Sequence, residues 1–214
     1  CLIMNKKNDS LLKEVLEKNK PANREINEIN EIVSDFKRKV ENKVKTKKVD
    51  VEVFVGGSLA KKTLIKKDKY DVDIFLIFEK KYKEKDISSL TEKLLQGFKF
   101  TKIHGSRDYF RIVYPKIILE IIPVMKIAKP KEAENITDLS YLHVKYLNKK
   151  VKNQKILDDI MLAKVFCYAN KCYGAESYIR GFSGYALELL VYHYRGLLKF
   201  IRAIAKTNIE KGKI

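Results

Sequence analysis

Two aspartates two positions apart are the residues in this sequence whose type and spacing most directly suggest chemistry. Asp71 and Asp73 open the apolar stretch 74–78, which is typical of a buried strand. Residues two apart on a strand leave the same face, so both carboxylates would lie together. Hard divalent cations prefer oxygen ligands, and two such ions can stabilise the attacking and leaving oxygens of an in-line phosphoryl displacement. The pair therefore predicts a magnesium site for nucleotidyl transfer.

A third carboxylate is expected on a neighbouring strand. Glu120 interrupts the apolar run 117–124 and is the only acid between Asp108 and Glu132. A carboxylate among apolar residues is costly to bury unless it is paired or bound to a metal. We therefore predict that Glu120 completes the metal site with Asp71 and Asp73.

A glycine turn precedes the aspartates. Residues 53–58, with the sequence Val-Phe-Val-Gly-Gly-Ser, predict a strand that runs into a tight turn and the start of a helix. Backbone N–H groups and the helix dipole at such a turn favour a phosphate. A turn of this kind is most often only a turn, and the metal site that follows is what favours phosphate chemistry.

Charge and length limit the classes of function. The 214 residues are enough for a sizeable core in one or two domains. Lys and Arg number 45 against 27 Asp and Glu, a net charge of +18, which favours nucleic acid as a partner. The alternative is coding bias that leaves the lysines merely solvated. The longest apolar runs are short and interrupted by charge, and residues 1–4 are too brief for a secretory core segment, so we expect a cytoplasmic protein without a membrane partner. Neither the three cysteines nor the three histidines have zinc-site spacing.

The remaining patterns predict an α+β protein in two parts. Residues 1–136 would form a catalytic domain, with helices from Asp9 and Pro21, a helix from Asp86, and a mixed sheet completed by strands near 99–103, 109–114 and 117–124. Residues 137–214 would form an all-helical domain, with helices near 138–149, 154–171 and 183–206. Ser183 is the predicted cap of the last helix.

Several motifs resemble those of known proteins. Segments 57–63, 71–78 and 120–123 resemble the catalytic motifs of the polymerase-β nucleotidyltransferase superfamily. Segments 164–168, 173–176 and 180–190 resemble the archaeal class of tRNA CCA-adding enzymes. The resemblance runs from about Val53 to about residue 200. It implies a nucleotidyltransferase head domain with a mixed sheet, followed by a helical neck domain. It also implies template-independent addition of CMP, CMP and AMP, from CTP and ATP, to the acceptor end of tRNA.

The resemblance assigns roles to particular residues. Asp71, Asp73 and Glu120 would hold two Mg²⁺ ions. The nucleotide-binding residues would be Gly57, Ser58, Lys61, His143, Lys164 and Tyr173. Two positions depart from the family. Lys61 stands where arginine is more common and lacks the planar fork that grips phosphate. Glu120 stands where aspartate is usual, and its extra methylene moves the carboxylate.

Three alternatives about the protein's role remain open at this stage. The family continues into further domains that grip tRNA, and these are absent from the present sequence, which ends at Ile214. We expect a fragment, a chain completed by a separate C-terminal subunit or a homodimer, or a minimal enzyme. The alternative acceptor for an enzyme of the same fold is another RNA, a protein or a small molecule. A weakly active subunit that binds RNA or nucleotide in a split enzyme is the non-catalytic alternative.

Overall fold

The computed structural model describes residues 2–83, 85–105 and 107–207, and it divides into two compact units. The sheet unit consists of Pro21–Lys62 and Lys67–Tyr146. The helical unit consists of Cys1–Lys20, Thr63–Lys66 and Leu147–Ile214. The predicted domain boundary after residue 136 stays a prediction. The outer ends of the two predicted domains, residues 1 and 208–214, lie outside the described residues.

A five-stranded mixed sheet forms the centre of the sheet unit, as the α+β prediction requires. Its strands are β1 (Val51–Val55), β2 (Tyr70–Phe78), β3 (Thr101–Ile103), β4 (Tyr109–Val113) and β5 (Ile117–Met125). Their order is β1-β2-β5-β4-β3. The central pair β2 and β5 is parallel, and the other pairs are antiparallel. The two strands predicted to carry acids are therefore direct neighbours.

Helices flank this sheet in the same unit: α2 (Asn23–Lys47), the single turn α3 (Gly57–Ala60) and α4 (Ile87–Leu95). The helix α5 (Ser140–Lys150) belongs to this unit as far as Tyr146, and its last four residues belong to the helical unit. The long helix α2 buries Ile29, Val33, Phe36 and Val40, which recur at helical spacing. It begins after an N-cap at Ala22, so Pro21 lies just outside the helix rather than in its first turn. Asp86 caps α4 by accepting from two backbone N–H groups.

The helical unit contains α1 (Leu2–Asn19), α6 (Gln154–Ala169), α7 (Gly184–His193) and α8 (Leu197–Ala205). Its core includes Ile160, Ala163 and Leu187, and Leu12 and Leu16 of α1 pack against that core. The Ser183 hydroxyl accepts from the Ala186 N–H at 3.2 Å, so the predicted cap of α7 is correct. In the described part of the chain, no helix combines the length and apolarity needed to cross a membrane.

The continuous helix predicted over 183–206 is wrong, because the chain breaks between α7 and α8. Arg195 and Gly196 both have positive φ, at 57° and 132°. The Gly196 N–H donates to the Val191 carbonyl at 2.9 Å and ends α7. A Cβ added to Gly196 would come within 2.7 Å of the Asp159 carboxylate. Gly196 therefore turns the chain where a side chain would not fit.

Gly196→Ala is expected to lower the free energy of unfolding by about 1–3 kcal/mol, because φ near 130° strains any residue with a Cβ. The measurement is urea denaturation of the variant beside Gly105→Ala. Gly105 lacks a positive φ, and its added Cβ would meet only the Arg107 carbonyl at 3.4 Å. Equal losses in the two variants would contradict the assignment of the break to Gly196.

Candidate active site

Strands β2 and β5 bring two of the three predicted carboxylates to paired positions. Asp73 lies opposite Glu120 in the parallel register, and Asp71 lies opposite Ile118. The first six residues of β5 alternate in burial: Ile117, Leu119 and Ile121 are fully buried, whereas Glu120 lies on the half-exposed face. The same alternation places Asp71 and Asp73 on one face of β2. The sheet therefore presents these acids on a common face.

Basic side chains neutralise two of the acids. Lys67 Nζ lies 3.2 Å from Asp71 Oδ2. Arg111, on β4, is the cross-strand partner of Glu120. Its Nη2 and Nε donate to Glu120 Oε1 at 2.6 and 3.2 Å. The hydrogen bond to Glu120 raises the pKa of Arg111. Asp71 and Glu120 therefore each have a cationic partner within the sheet unit.

Asp73 is electrostatically different from the other two acids. Burial, together with the charges of Glu120 and Asp71, raises the pKa of Asp73 to about 6, although the charge of Lys61 acts in the opposite direction. A carboxylate in this position is costly to ionise unless positive charge is added nearby. The surroundings of Asp73 therefore favour a cation.

The glycine turn lies directly against Asp73. Gly57 has φ of 60°, and an added Cβ would overlap the Asp73 carboxylate. The Gly56 N–H donates to the Asp73 carbonyl at 2.8 Å, which ties the turn to β2. Ser58 follows within α3, and Lys61 is its C-cap. Because α3 is a single turn, its dipole is weaker than the predicted helix start implied. The turn nevertheless places its backbone next to Asp73, which is paired in register with Glu120.

The chemistry of these acidic residues suits a divalent cation, although the described residues do not form a complete metal site. Among the described residues, no group of three His, Cys, Asp or Glu side chains is arranged to hold a metal ion. Asp73 and Glu120 are nevertheless paired in register, and burial together with the neighbouring acids raises the pKa of Asp73. Oxygen donors with excess negative charge are what Mg²⁺ prefers. The three-carboxylate metal site stays a prediction that this charge distribution supports.

The other predicted nucleotide-binding residues lie farther along the chain. His143 is in α5 of the sheet unit. Lys164 and Tyr173 belong to the helical unit. The Tyr173 ring stacks on Tyr168 with centroids 4.2 Å apart. The Lys164 side chain is 4% exposed, and its ammonium lies 2.9 Å from Glu188. The burial of Lys164 in an ion pair is unlike the solvated lysine that its sequence position alone suggests.

Sequence reasoning missed two charged residues that the structure joins to predicted ones. Arg111 contacts Glu120, and Glu188 contacts Lys164. A signal existed for Glu188, because it interrupts the apolar stretch 185–190 as Glu120 interrupts its own strand. Arg111 gave no comparable sequence signal, because a basic residue in a five-residue strand is ordinary. Its role follows only from the pairing of β4 with β5.

Arg111→Met is expected to lower the free energy of unfolding by about 1–2 kcal/mol, because it leaves the Glu120 carboxylate beside Asp73 without its partner. Arg111→Lys should recover part of the loss, and Arg111→Met with Glu120→Gln most of it. Urea denaturation in a buffer that contains a chelator measures these free energies of unfolding. The control is Lys116→Met, which breaks the exposed pair with Glu28 and should cost under about 0.5 kcal/mol. A loss no larger than this control would show that the Arg111 pair is incidental.

Comparison with family models agrees with this geometry. Residues 37–167 match the model described as a nucleotidyltransferase domain. Residues 158–213 match the second domain of tRNA nucleotidyltransferase. Solved structures share the fold at low identity. A Cid1 poly(U) polymerase superposes with a TM-score of 0.68 at 15% identity, covering 88% of this chain and 55% of its own. CdnC from E. coli MS115-1 gives 0.65 at 13%, covering 92% and 69%. Fold and matched domains thus define the class as nucleotidyltransferase.

Curated relatives narrow the class. The CCA-adding enzyme of Nanoarchaeum equitans is 42% identical over 72% of this chain and 39% of its own length. That of Pyrococcus abyssi is 32% identical over 89% and 43%. That of Thermoplasma acidophilum is 30% identical over 94% and 89%. The chain belongs to the archaeal CCA-adding branch of the nucleotidyltransferase family. It spans about two fifths of the length of the Nanoarchaeum and Pyrococcus relatives. Members of this family use a divalent metal and nucleoside triphosphates.

Proposed function

We propose that this chain is the catalytic part of a template-independent tRNA nucleotidyltransferase, which adds CMP and AMP from CTP and ATP to the tRNA 3′ end. The observation that carries the proposal is the pairing of Asp73 with Glu120 behind the Gly57 turn. The relatives named CCA-adding enzymes support tRNA as the acceptor. The net charge of +18 is suited to holding an RNA backbone.

In the proposed reaction, the RNA 3′-hydroxyl attacks the α-phosphorus of the bound nucleotide. A new P–O bond forms and the hydroxyl proton passes to solvent. The bond between the α-phosphorus and the bridging oxygen breaks, and the β- and γ-phosphates leave together as pyrophosphate. Two Mg²⁺ ions held by Asp71, Asp73 and Glu120 would supply activation of the hydroxyl and neutralisation of the developing charge. The protein's own contribution is positioning and electrostatics.

Different residues of the chain are proposed to bind the triphosphate and to hold the acidic side chains. The backbone at Gly57, with Ser58 and Lys61, would hold the triphosphate next to the acid pair. His143 and Tyr173 are proposed as further triphosphate contacts on the order of the motifs. Lys67 and Arg111 form ion pairs with Asp71 and Glu120, which hold these side chains in place. Lys164, which forms an ion pair with Glu188, is likewise proposed as a triphosphate contact on the order of the motifs.

Acceptor specificity tests the proposal against a nucleotidyltransferase of the same fold with another substrate. The purified chain is given Mg²⁺ and labelled CTP with one of three acceptors: tRNA lacking CCA, a hairpin RNA of equal length, or no RNA. We expect label on tRNA above the hairpin, with binding that weakens steeply as salt rises because phosphate contacts release counterions. Equal labelling of both RNAs, or labelling of the protein itself, would favour a different acceptor.

A further inference from the structure

A buried ion pair in the sheet unit joins the turn between β3 and β4 to the segment that leads into α5. The Asp138 side chain is fully buried, and the Arg107 side chain is 14% exposed. Arg107 Nη1 lies 2.8 Å from Asp138 Oδ1, and Arg107 Nη2 donates to Asp138 Oδ2 at 3.2 Å. Two nitrogens of the planar guanidinium thus meet the two carboxylate oxygens, which is the geometry of the strongest arginine–carboxylate pairs.

The same two side chains also contact the end of β5. Asp138 Oδ1 accepts from the Met125 N–H at 2.9 Å, and Asp138 Oδ2 accepts from the Asn135 N–H at 3.2 Å. Arg107 Nη1 lies 3.5 Å from the Pro123 carbonyl oxygen. Because Pro123 and Met125 belong to β5, the ion pair is fixed to the strand that carries Glu120.

The segment that contains Asp138 continues directly into α5. Asp138 lies in the short 3-10 helix Ile136–Leu139, and Ser140 has the right-handed helical conformation with which α5 begins. His143, a proposed triphosphate contact, follows five residues after Asp138. A continuous helical segment fixes the rise and rotation between two such residues. The place of Asp138 on β5 therefore determines where α5 carries His143.

Apolar packing and one tyrosine hold α5 against the sheet face of the acids. Tyr141 belongs to an apolar cluster with Phe75 and Ile77 of β2, which lie on the same face as Asp73 by alternation. The Tyr141 hydroxyl donates to the Ile127 carbonyl and accepts from the Ile127 N–H, both at 2.9 Å. Apolar contacts are not directional, so the hydrogen bonds are what define the register of the helix.

The ion pair is poorly explained by stability alone. Replacing a buried ion pair by apolar side chains of similar volume is often neutral or stabilising, and the best-attested use of buried polar groups is to specify register. Arg107 and Asp138 lie where such a role is available, because they connect a helix to a strand through directional bonds at both ends.

We propose that Arg107 and Asp138 are positioning residues, which hold α5 in one register on β5 and so place His143 relative to Glu120. This inference rests on the proposed nucleotidyl transfer, in which His143 contacts the triphosphate and Glu120 holds metal. Both carboxylate oxygens of Asp138 are occupied by Arg107 and by backbone N–H groups. The pair therefore acts through α5 and not by contact with the nucleotide.

Three sets of substitutions test this role. Arg107→Met with Asp138→Asn removes both charges, and the amide oxygen can still accept from a backbone N–H. Arg107→Lys keeps the positive charge and loses the planar fork. Lys102→Met is the matched control, because Lys102 lies on the same hairpin and pairs with two acids outside α5, Glu92 and Asp108.

The first measurement is amide hydrogen exchange of the free protein over residues 140–146. We expect exchange there to rise about tenfold in Arg107→Met/Asp138→Asn, with β2 and β5 still protected, because α5 loses its tie to the strand. Arg107→Lys should give a smaller rise, and Lys102→Met none. Unchanged exchange in α5, or an equal rise throughout the sheet, would show that the pair is not a local tie and would overturn the proposal.

The second measurement is the ratio of the affinities for CTP and CMP, obtained by equilibrium dialysis. His143→Ala should lower CTP affinity about tenfold more than CMP affinity, because a charge-assisted contact to the β- and γ-phosphates is lost. Arg107→Met/Asp138→Asn should lower the ratio about threefold or more, and adding His143→Ala should lower it little beyond His143→Ala alone. Fully additive losses, or a ratio that His143→Ala leaves unchanged, would contradict positioning through His143.

Transfer assays separate this inference from the proposed function. With an active parent, Arg107→Met/Asp138→Asn should raise KM for CTP about threefold or more, and Lys102→Met should change neither kcat nor KM. A fall in kcat with unchanged KM would count against a role through His143. A parent that binds CTP yet transfers nothing would contradict the proposed function, while the exchange and affinity results would still decide whether the pair places His143.

Discussion

Asp73→Asn is expected to abolish nucleotide addition and at the same time to stabilise the fold. The carboxylate carries charge that the proposed reaction needs, so its loss should lower the rate by at least about 10²-fold. Burial and the charges of Glu120 and Asp71 disfavour that charge in the folded protein. The neutral amide keeps the shape and removes the repulsion.

The stability gain should depend on pH in a defined direction. The pKa of Asp73 rises from 3.8 to about 6 on folding, so the ionised carboxylate destabilises the native state. This penalty is small below pH 4 and develops fully above pH 6, where Asp73→Asn should gain about 3 kcal/mol in a chelating buffer. Urea denaturation at pH 4 and pH 7.5 measures it.

Asp71→Asn is the matched control for Asp73→Asn. Asp71 is about half exposed and paired with Lys67 at 3.2 Å, so its neutralisation should lower the transfer rate without stabilising the fold. If the two variants had the same stability at pH 7.5, Asp73 would not be the uncompensated acid of the site.

Gly57→Ala has the second large expected effect. A Cβ at φ of 60° strains the turn, and here it would also overlap the Asp73 carboxylate. Moving Asp73 or the turn by about 1 Å should lower the transfer rate by about 10²-fold. The free energy of unfolding should fall by about 1–3 kcal/mol. Steady-state transfer kinetics and urea denaturation are the two measurements.

Gly97→Ala separates the two causes. Gly97 also has a positive φ, of 86°, but an added Cβ would meet only Lys43 Nζ at 3.9 Å. Gly97→Ala should therefore lower the free energy of unfolding only by the part of the Gly57→Ala loss that comes from backbone strain. It should leave the transfer rate unchanged. A Gly57→Ala variant of full activity would mean that the turn does not need its close approach to Asp73.

The acid residues could be predicted from the sequence because their signals are local. Alternation places Asp71 and Asp73 on one face of β2 whatever the strand pairs with, and an acid in an apolar run points to a special environment. Local patterns of apolar residues likewise predicted the mixed sheet and most of the helices. The resemblance to known motifs predicted the class, which the family models and relatives confirm.

What the sequence could not supply depends on pairing between distant segments. Asp73 meets Glu120 because β2 pairs in parallel with β5, although α4, β3 and β4 lie between them in the chain. Arg111 reaches Glu120 through a second pairing. Thr63 forms hydrogen bonds with Lys164 and Glu188, each more than a hundred positions further along the chain. No local pattern determines such a register.

The break at Gly196 was missed for a different reason. The apolar positions of α7 and α8 continue at helical spacing across the turn, so periodicity alone predicts one helix. A glycine within such a pattern is often tolerated. The positive φ of Gly196, and the Asp159 carboxylate that leaves no room for a Cβ there, are visible only in the structure.

Stepwise extension of tRNA tests the central claim most directly. The purified chain is incubated with Mg²⁺, CTP and ATP, and with tRNA that ends before CCA, within it or after it; the products are resolved at single-nucleotide length. The account predicts addition that completes CCA and then stops, and that is lost in the Asp71→Ala/Asp73→Ala variant. Extension that the double variant retains, or none on any tRNA from a chain that binds CTP, would contradict it.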